Sequence, residues 1–207
     1  MPPERKPTEL YLPKSPMKPT EISPRNISRN IDLWFAEKKF DGIRTLILLS
    51  PSMGVIITTV NSRNITPHFR MIARELEPVA STHIAVLDGE LVHTEGKNAS
   101  DRNLVVHRST GSRQAPEEEF TFQAFDILNL DGEDLTKRHI EDRKRKLSEL
   151  ITPTEHVKLV QPYTYEELIV ELEKMEGDTY DEGIVLKKLG TNYTSGLSSN
   201  WRKVKYN

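Results

Sequence analysis

The chain has 207 residues, of which 36% are hydrophobic and 29% are charged, and its formal net charge is −2 at pH 7. It contains no cysteine, which excludes disulfides and cysteine-ligated zinc, so any bound metal is expected to have oxygen ligands, as Mg²⁺ and Mn²⁺ prefer. No run of about 20 apolar residues is present, so we expect no membrane span and an intracellular, cytoplasmic location.

The N-terminal part of the chain is rich in proline. Seven of the thirteen prolines lie within residues 1–27. Because proline lacks a backbone N–H and restricts φ, this density excludes a helix or a central strand. We expect residues 1–27 to form an extended arm that lies on a single body, residues 28–207.

Short apolar runs separated by turn residues begin at Leu33 and predict strands. Asp41-Gly42 is expected to form a tight turn between two strands. The predicted strands cover residues 44–49, 55–60, 84–92, 120–128 and 183–186.

Apolar residues at helical spacing predict helices between these strands. The first helix begins at Thr66-Pro67, where threonine is the cap and proline takes the first helical position, and its apolar stripe includes Ile72 and Leu76. Two further helices are predicted over residues 140–151 and 164–175. The sequence therefore predicts an α+β fold of mostly antiparallel β-sheets flanked by helices.

A basic run lies within the second predicted helix. Residues 143–146 read Arg-Lys-Arg-Lys and follow Glu141 and Asp142. Mixed charges of this kind favour a solvated helix face over a patch that binds the DNA backbone.

The segment over residues 37–44, which reads EKKFDGIR, contains the main candidate for chemistry. It resembles the K-x-D-G-x-R element of nucleotidyltransferases, in which the lysine, here Lys39, traps AMP or GMP. An amine that attacks an α-phosphate forms a phosphoramidate, which stores the nucleotide until its nitrogen is protonated. Attack at neutral pH requires an unprotonated amine, so cations, partial burial or a metal must lower the lysine pKa.

Four further segments follow this element in a fixed order. They cover residues 86–92, 122–128, 181–187 and 201–205. The series over residues 33–205 resembles the adenylation domain of ATP-dependent DNA ligases, within the superfamily that also contains mRNA-capping enzymes. The stretch 125–135, FDILNLDGEDL, is more similar to DNA ligases than to capping enzymes.

The resemblance implies roles for the residues that would hold the nucleoside. Lys39 would be the nucleophile, and Glu37 would read the adenine amino group. Arg44 would bind the ribose or the nick phosphate, and Phe125 would stack on the base.

The resemblance also implies roles at the phosphates and the metal. Arg63 would bind a phosphate. Glu90 would contact a ribose hydroxyl and help to hold a metal ion, and Glu182 would support a second metal site. Three lysines would surround the α-phosphate: Lys187, Lys203 and Lys205.

Fold and partners follow from the same resemblance. It implies an ATP-grasp-like nucleotidyltransferase domain that uses ATP and Mg²⁺, with Mn²⁺ able to substitute, and that acts as a monomer on nicked double-stranded DNA. Full ligases continue into a C-terminal OB-fold, and we expect none within residues 1–207. We therefore expect a slow first step and weak binding to nicks.

Other functions share parts of this pattern. An RNA ligase or a capping-type guanylyltransferase would use the same nucleophile, and labelling with ATP or GTP separates the capping alternative. A non-catalytic module that binds nucleic-acid ends would not need Lys39, Glu90 and Glu182 together.

Overall fold

The computed structural model of the chain describes residues 15–23, 27, 31–94, 100–111, 115–174 and 183–205. The strands in these ranges are β1 (Met17–Glu21), β2 (Trp34–Lys38), β3 (Ile43–Ser50), β4 (Gly54–Thr59), β5 (Ala85–His93), β6 (Phe120–Leu130), β7 (Glu133–Asp134), β8 (Val157–Leu159), β9 (Ile184–Lys188) and β10 (Gly196–Val204). The α-helices are α1 (Arg70–Ala80), α2 (Ser100–Ser109), α3 (Ile140–Leu150) and α4 (Tyr165–Lys174). Across the described ranges, every helix is too short or too polar to cross a membrane.

The strands form two sheets. The smaller sheet has the order β1-β10-β9-β2, and the larger has the order β4-β3-β5-β6-β7, with β8 beside β6. Neighbouring strands are antiparallel except for the β1–β10 and β6–β8 pairs, which are parallel. The predicted α+β class with mostly antiparallel sheets is confirmed, and each predicted strand and helix overlaps an observed element.

Both faces of the larger sheet are covered. Successive side chains of a strand point to opposite faces, and on one face Ile47 packs with Ile72 of α1 in the main hydrophobic core. On the other face, Leu46 and Val86 pack with Trp201 of β10. The smaller sheet therefore meets the larger sheet across this second cluster.

The connection from β2 to β3 crosses between the sheets. Asp41-Gly42 lies between β2 and β3, as predicted, but these strands belong to different sheets, so the residues do not form a hairpin turn. A Cβ atom on Gly42 would lie 2.1 Å from the Leu91 carbonyl oxygen, so the close approach of β5 requires glycine here.

The start of α1 also differs from the prediction. The helix begins at Arg70, after a 3₁₀ turn over Thr66–His68. The Thr66 hydroxyl accepts a hydrogen bond of 2.8 Å from the Ile57 amide of β4, so the predicted cap was wrong. The predicted stripe is confirmed, because Ile72 and Leu76 are buried.

The described part of the N-terminal arm is an edge strand. β1 pairs in parallel with β10, and Met17 is fully buried in the cluster between the sheets. Other arm residues, such as Lys14, lie outside the described residues.

The basic run on α3 is only partly solvated. The Arg143 side chain is fully buried, and its Nε and Nη2 donate to the two carboxylate oxygens of Asp126 at 2.8 and 2.9 Å. Lys144 is also largely buried, whereas Arg145 is exposed and pairs with Glu149. The prediction of a solvated face was wrong for Arg143 and Lys144, since both cations compensate buried carboxylates.

We predict that Arg143→Met lowers the free energy of unfolding by roughly 3–5 kcal/mol, because Asp126 would remain buried without a counter-ion. Arg145→Met, on the exposed face of the same helix, is the control and should change the free energy of unfolding far less, because solvent screens exposed ion pairs. Urea unfolding followed by circular dichroism measures both changes. Equal losses in the two variants would contradict the prediction.

Candidate active site

A cleft opens between the two sheets. Its cavity volume is about 150 Å³. Charged and aromatic residues from both sheets dominate its lining: Pro19, Glu37, Lys38, Lys39, Phe40, Arg44, Glu90, Phe125, Val185, Lys187 and Trp201. The structure thus brings together six of the predicted site residues.

Backbone contacts anchor Lys39 at the end of β2. Its amide donates to the Gly183 carbonyl oxygen at 2.9 Å. Gly183 has φ of +111°, and a Cβ atom there would lie 2.0 Å from the Val204 carbonyl oxygen. Only glycine fits this backbone conformation and this close approach, so the main chain that holds Lys39 is tightly constrained.

The surroundings of Lys39 favour its neutral amine. Burial lowers the pKa of the Lys39 ammonium below its usual value; the Glu90 carboxylate opposes this shift, and Lys205 and Lys203 lower the pKa further. Removal from water penalises the charged form, and like charges add to that penalty. This shift is in the direction that nucleophilic attack requires.

Arg44 is a fixed cation in the wall of the cleft. Its Nε and Nη2 donate to the two carboxylate oxygens of Asp88 at 2.9 and 2.6 Å, and its Nη1 donates to the Met17 carbonyl oxygen at 2.5 Å. Burial disfavours its charge, but Asp88 outweighs burial and raises the pKa of Arg44 above its usual value. Most of its N–H groups are thus bonded within the protein.

Asp88 is fully buried and has a second donor in Tyr193. The Tyr193 hydroxyl donates to Asp88 Oδ2 at 2.7 Å and accepts from the Met17 amide at 2.9 Å. Sequence reasoning missed both residues. Asp88 could have been found from its position within the apolar run of β5. That position predicts a buried carboxylate, and a buried carboxylate needs a partner.

Glu90 faces the cleft beside Lys39 and Arg44. It is half-buried and lies opposite Arg44 in the β3–β5 register. Burial raises the pKa of Glu90 to about 7, with Arg44 and Lys39 opposing the shift. A carboxylate of this kind is held close to its protonation midpoint at neutral pH and becomes fully ionised when a cation approaches.

The donor set fits Mg²⁺ only together with a nucleotide. Within the described ranges, no three His, Asp or Glu side chains form a group able to hold a metal ion. Mg²⁺ is commonly bound by one or two carboxylates plus substrate phosphates. Glu90 fits that role, whereas Glu182, the other predicted ligand, lies outside the described residues.

Glu37 lies between two lysines. It is 2% exposed, with Oε1 at 2.5 Å from Lys144 Nζ and Oε2 at 2.6 Å from Lys187 Nζ. Burial lowers the pKa of Lys187 to about 8, although Glu37 opposes this shift. Lys144 was not identified as a site residue from the sequence. Helical spacing could have predicted its burial, because Lys144 shares the buried face of α3 with Ile140 and Leu147.

Aromatic rings surround the same ammonium group. Lys187 Nζ lies 4.3 Å from the ring centroid of Phe125 and 4.5 Å from that of Trp201. The two rings meet edge to face with centroids 6.1 Å apart. Trp201 therefore belongs both to the hydrophobic cluster between the sheets and to the cleft lining.

Three other predicted residues, all within the described ranges, do not line the cleft. Arg63 Nη2 donates to the Ser109 carbonyl oxygen at 2.9 Å, near the end of α2. The ammonium groups of Lys203 and Lys205 lie 3.0 and 3.9 Å from a carboxylate oxygen of Glu21 in β1. Glu21 lies in the predicted arm, and no local pattern distinguished it from the other charged residues there.

Comparisons with known proteins identify the family of the chain. The family model for the ATP dependent DNA ligase domain matches residues 16–205. DNA ligase 2 of Korarchaeum cryptofilum (strain OPF8) is 30% identical over 183 residues, which cover 83% of this chain and 30% of that ligase. The chain thus spans about a third of the length of this curated relative.

Two solved structures share the fold. The ligase domain of LigD from M. tuberculosis has a TM-score of 0.69 at 23% identity, over 92% of this chain and 60% of that chain. A mycobacterial DNA ligase D complexed with ATP and MES has a TM-score of 0.67 at 24% identity, over 93% and 60%. Since the family model covers most of the sequence, the chain belongs to the ATP-dependent DNA ligase domain family.

Proposed function

We propose that this domain takes AMP from ATP onto Lys39 and passes it to the 5′-phosphate of nicked double-stranded DNA. Family membership supports the reaction class. The observation that carries the proposal is the cleft itself, in which a lysine with a lowered pKa adjoins a second cation and a carboxylate.

The first step requires Lys39 to act as a neutral amine. Its nitrogen lone pair attacks the α-phosphorus of ATP, an N–P bond forms, and the bond to the bridging oxygen breaks. Pyrophosphate leaves with that electron pair, and the amine proton passes to solvent. Burial of Lys39 lowers the cost of deprotonation before the attack.

Positive charge around the phosphates supports the same step. Phosphoryl transfer depends on positioning and on cations near the equatorial oxygens. Lys187 has a pKa of about 8, so it is predominantly charged at neutral pH. We assign Lys187, Lys203 and Lys205 to the α-phosphate, Arg44 to the ribose or nick phosphate, and Arg63 to a further phosphate.

The base and the metal complete the proposed site. Phe125 is half-buried at the cleft wall and is assigned to stack on adenine, while Glu37 is assigned to its amino group. Glu90 would hold Mg²⁺, for which Mn²⁺ can substitute, and Glu182 would support a second metal site. When bound, the ion would neutralise phosphate charge.

The later steps consume the stored nucleotide. An oxygen of the DNA 5′-phosphate attacks the AMP phosphorus, the N–P bond breaks, and Lys39 regains a proton. The 3′-hydroxyl then attacks the 5′-phosphorus, a phosphodiester forms, and AMP leaves. Lys39 is free for another cycle.

Two alternatives predict different outcomes. An RNA ligase would join RNA ends in preference to nicked DNA, and a capping-type guanylyltransferase would be labelled by GTP. A module that only binds ends would form no covalent adduct at saturating ATP and Mg²⁺.

We predict that wild-type protein incubated with ATP and Mg²⁺ gains the mass of one AMP on Lys39 and that Lys39→Arg gains none. Arginine keeps the charge but stays protonated, so it lacks the attacking lone pair. Intact mass spectrometry followed by peptide mapping measures the adduct.

Lys188→Arg is the matched control, because Lys188 lies on β9 with an exposed side chain outside the cleft lining. It should be labelled as the wild type is. Labelling of Lys39→Arg at the wild-type rate would remove Lys39 from the mechanism.

The rate of AMP labelling should also depend on pH in a specific way. Lys39 must be deprotonated to attack, and Glu90 must be ionised to hold a metal. Glu90 has a pKa of about 7, so its carboxylate becomes protonated when the pH falls below that value. Because Lys39 and Glu90 are then both protonated, the labelling rate should fall with pH more steeply than it would if one group titrated. Single-turnover labelling at low ATP concentration measures this profile.

Glu90→Gln provides the control for this steepening. The variant should be slower at every pH, but its remaining profile should follow Lys39 alone. A wild-type profile that shows a single ionisation below neutral pH would exclude Glu90 from this role.

A further inference from the structure

We propose that Lys144 is a positioning residue for nucleotide choice: it holds the Glu37 carboxylate so that the open acceptor sites of this group meet the 6-amino group of a purine. The inference rests on the proposed function, because it assumes that Lys39 is adenylated in this cleft.

Lys144 connects the two halves of the molecule. It projects from α3, which packs on the larger sheet through the buried Arg143–Asp126 ion pair. Its ammonium group lies 2.5 Å from Glu37 Oε1 in the smaller sheet and donates to the Val160 carbonyl oxygen at 2.7 Å. The position of the cation is therefore set by two contacts from different elements.

Glu37 retains acceptor capacity despite its two neighbours. Each carboxylate oxygen has one lysine neighbour at ion-pair distance, Lys144 at Oε1 and Lys187 at Oε2. An ionised carboxylate offers about four lone-pair sites and no donor. A buried acceptor that lines the cleft is thus available to a ligand donor.

The chemistry of the purine ring makes this acceptor selective. The 6-amino group of adenine donates hydrogen bonds, whereas the 6-oxo group of guanine accepts them and would be repelled by the carboxylate. A purine without a 6-substituent leaves the acceptor unpaired. Sites built around a buried polar group discriminate strongly against ligands that cannot pair with it.

Lys144 is better suited than Lys187 to hold Glu37 throughout the reaction. Lys187 is assigned to the α-phosphate, which competes with Glu37 for the same ammonium group. Lys144 is not among the residues that line the cleft, so its contact with Glu37 is maintained by protein groups alone. Without it, the buried carboxylate would lose one of its two orienting cations.

Covalent labelling of Lys39 in single turnover, with ATP or with purine riboside 5′-triphosphate, tests this role. The second nucleotide lacks only the 6-amino group. We expect Lys144→Met to reduce the preference for ATP over the analogue by about ten- to a hundredfold. This factor corresponds to the loss of one hydrogen bond to a charged group. The loss should come from a higher KM for ATP, while labelling by the analogue should change little.

Three further variants make the test specific. Lys144→Arg keeps a cation and should retain most of the ATP preference. Lys146→Met lies on the same helix, pairs with Glu133 and should behave as the wild type. In a Glu37→Gln background, Lys144→Met should cause no further loss of preference, because the two residues act as one unit.

The outcomes separate this inference from the proposed function. An equal loss with both nucleotides in Lys144→Met, or a loss of preference in Lys144→Arg as large as that in Lys144→Met, would overturn the positioning role while Lys39 labelling stands. Additive losses in the Glu37→Gln background would also overturn it. A wild-type protein that is never labelled would overturn both proposals.

Discussion

The ion pair between Arg44 and Asp88 is the interaction on which the rest of the structure depends. It spans the two central strands of the larger sheet, and Arg44 also donates to the Met17 carbonyl oxygen of β1 in the smaller sheet. Tyr193 adds a hydrogen bond to the same carboxylate. Since a buried charge without its partner is very unfavourable, these contacts fix the position of one sheet against the other and thereby the width of the cleft.

The cleft is built from charges that are only partly compensated. Glu37 has two lysine neighbours, and Glu90 faces both Lys39 and Arg44. Burial weakens every charged form, so the lysines are more acidic and Glu90 is more basic than in water. The protonation of Lys39, Lys187 and Glu90 is therefore sensitive to the binding of an anion together with a metal ion. Transfer of AMP from ATP would require such sensitivity.

Local patterns accounted for the elements but not for their partners. Short apolar runs separated by turn residues predicted β3 to β6 and β9, because strands that are buried on both faces are apolar at successive positions. The same reasoning predicted a hairpin-type tight turn at Asp41-Gly42 between two strands, although these residues connect strands of different sheets. It also placed the basic run of α3 in solvent, although Arg143 is fully buried. Both errors concern contacts between residues distant in the chain.

By itself, the sequence determined the ligase resemblance, the fold class and six residues of the cleft, because the ordered motifs and the spacing of apolar side chains are local properties. Only the tertiary structure decided that Lys144 meets Glu37, that Asp88 pairs with Arg44, and that Arg63 lies at the end of α2. Ion pairing depends on distances between elements, and these distances follow from how the two sheets and α3 pack together.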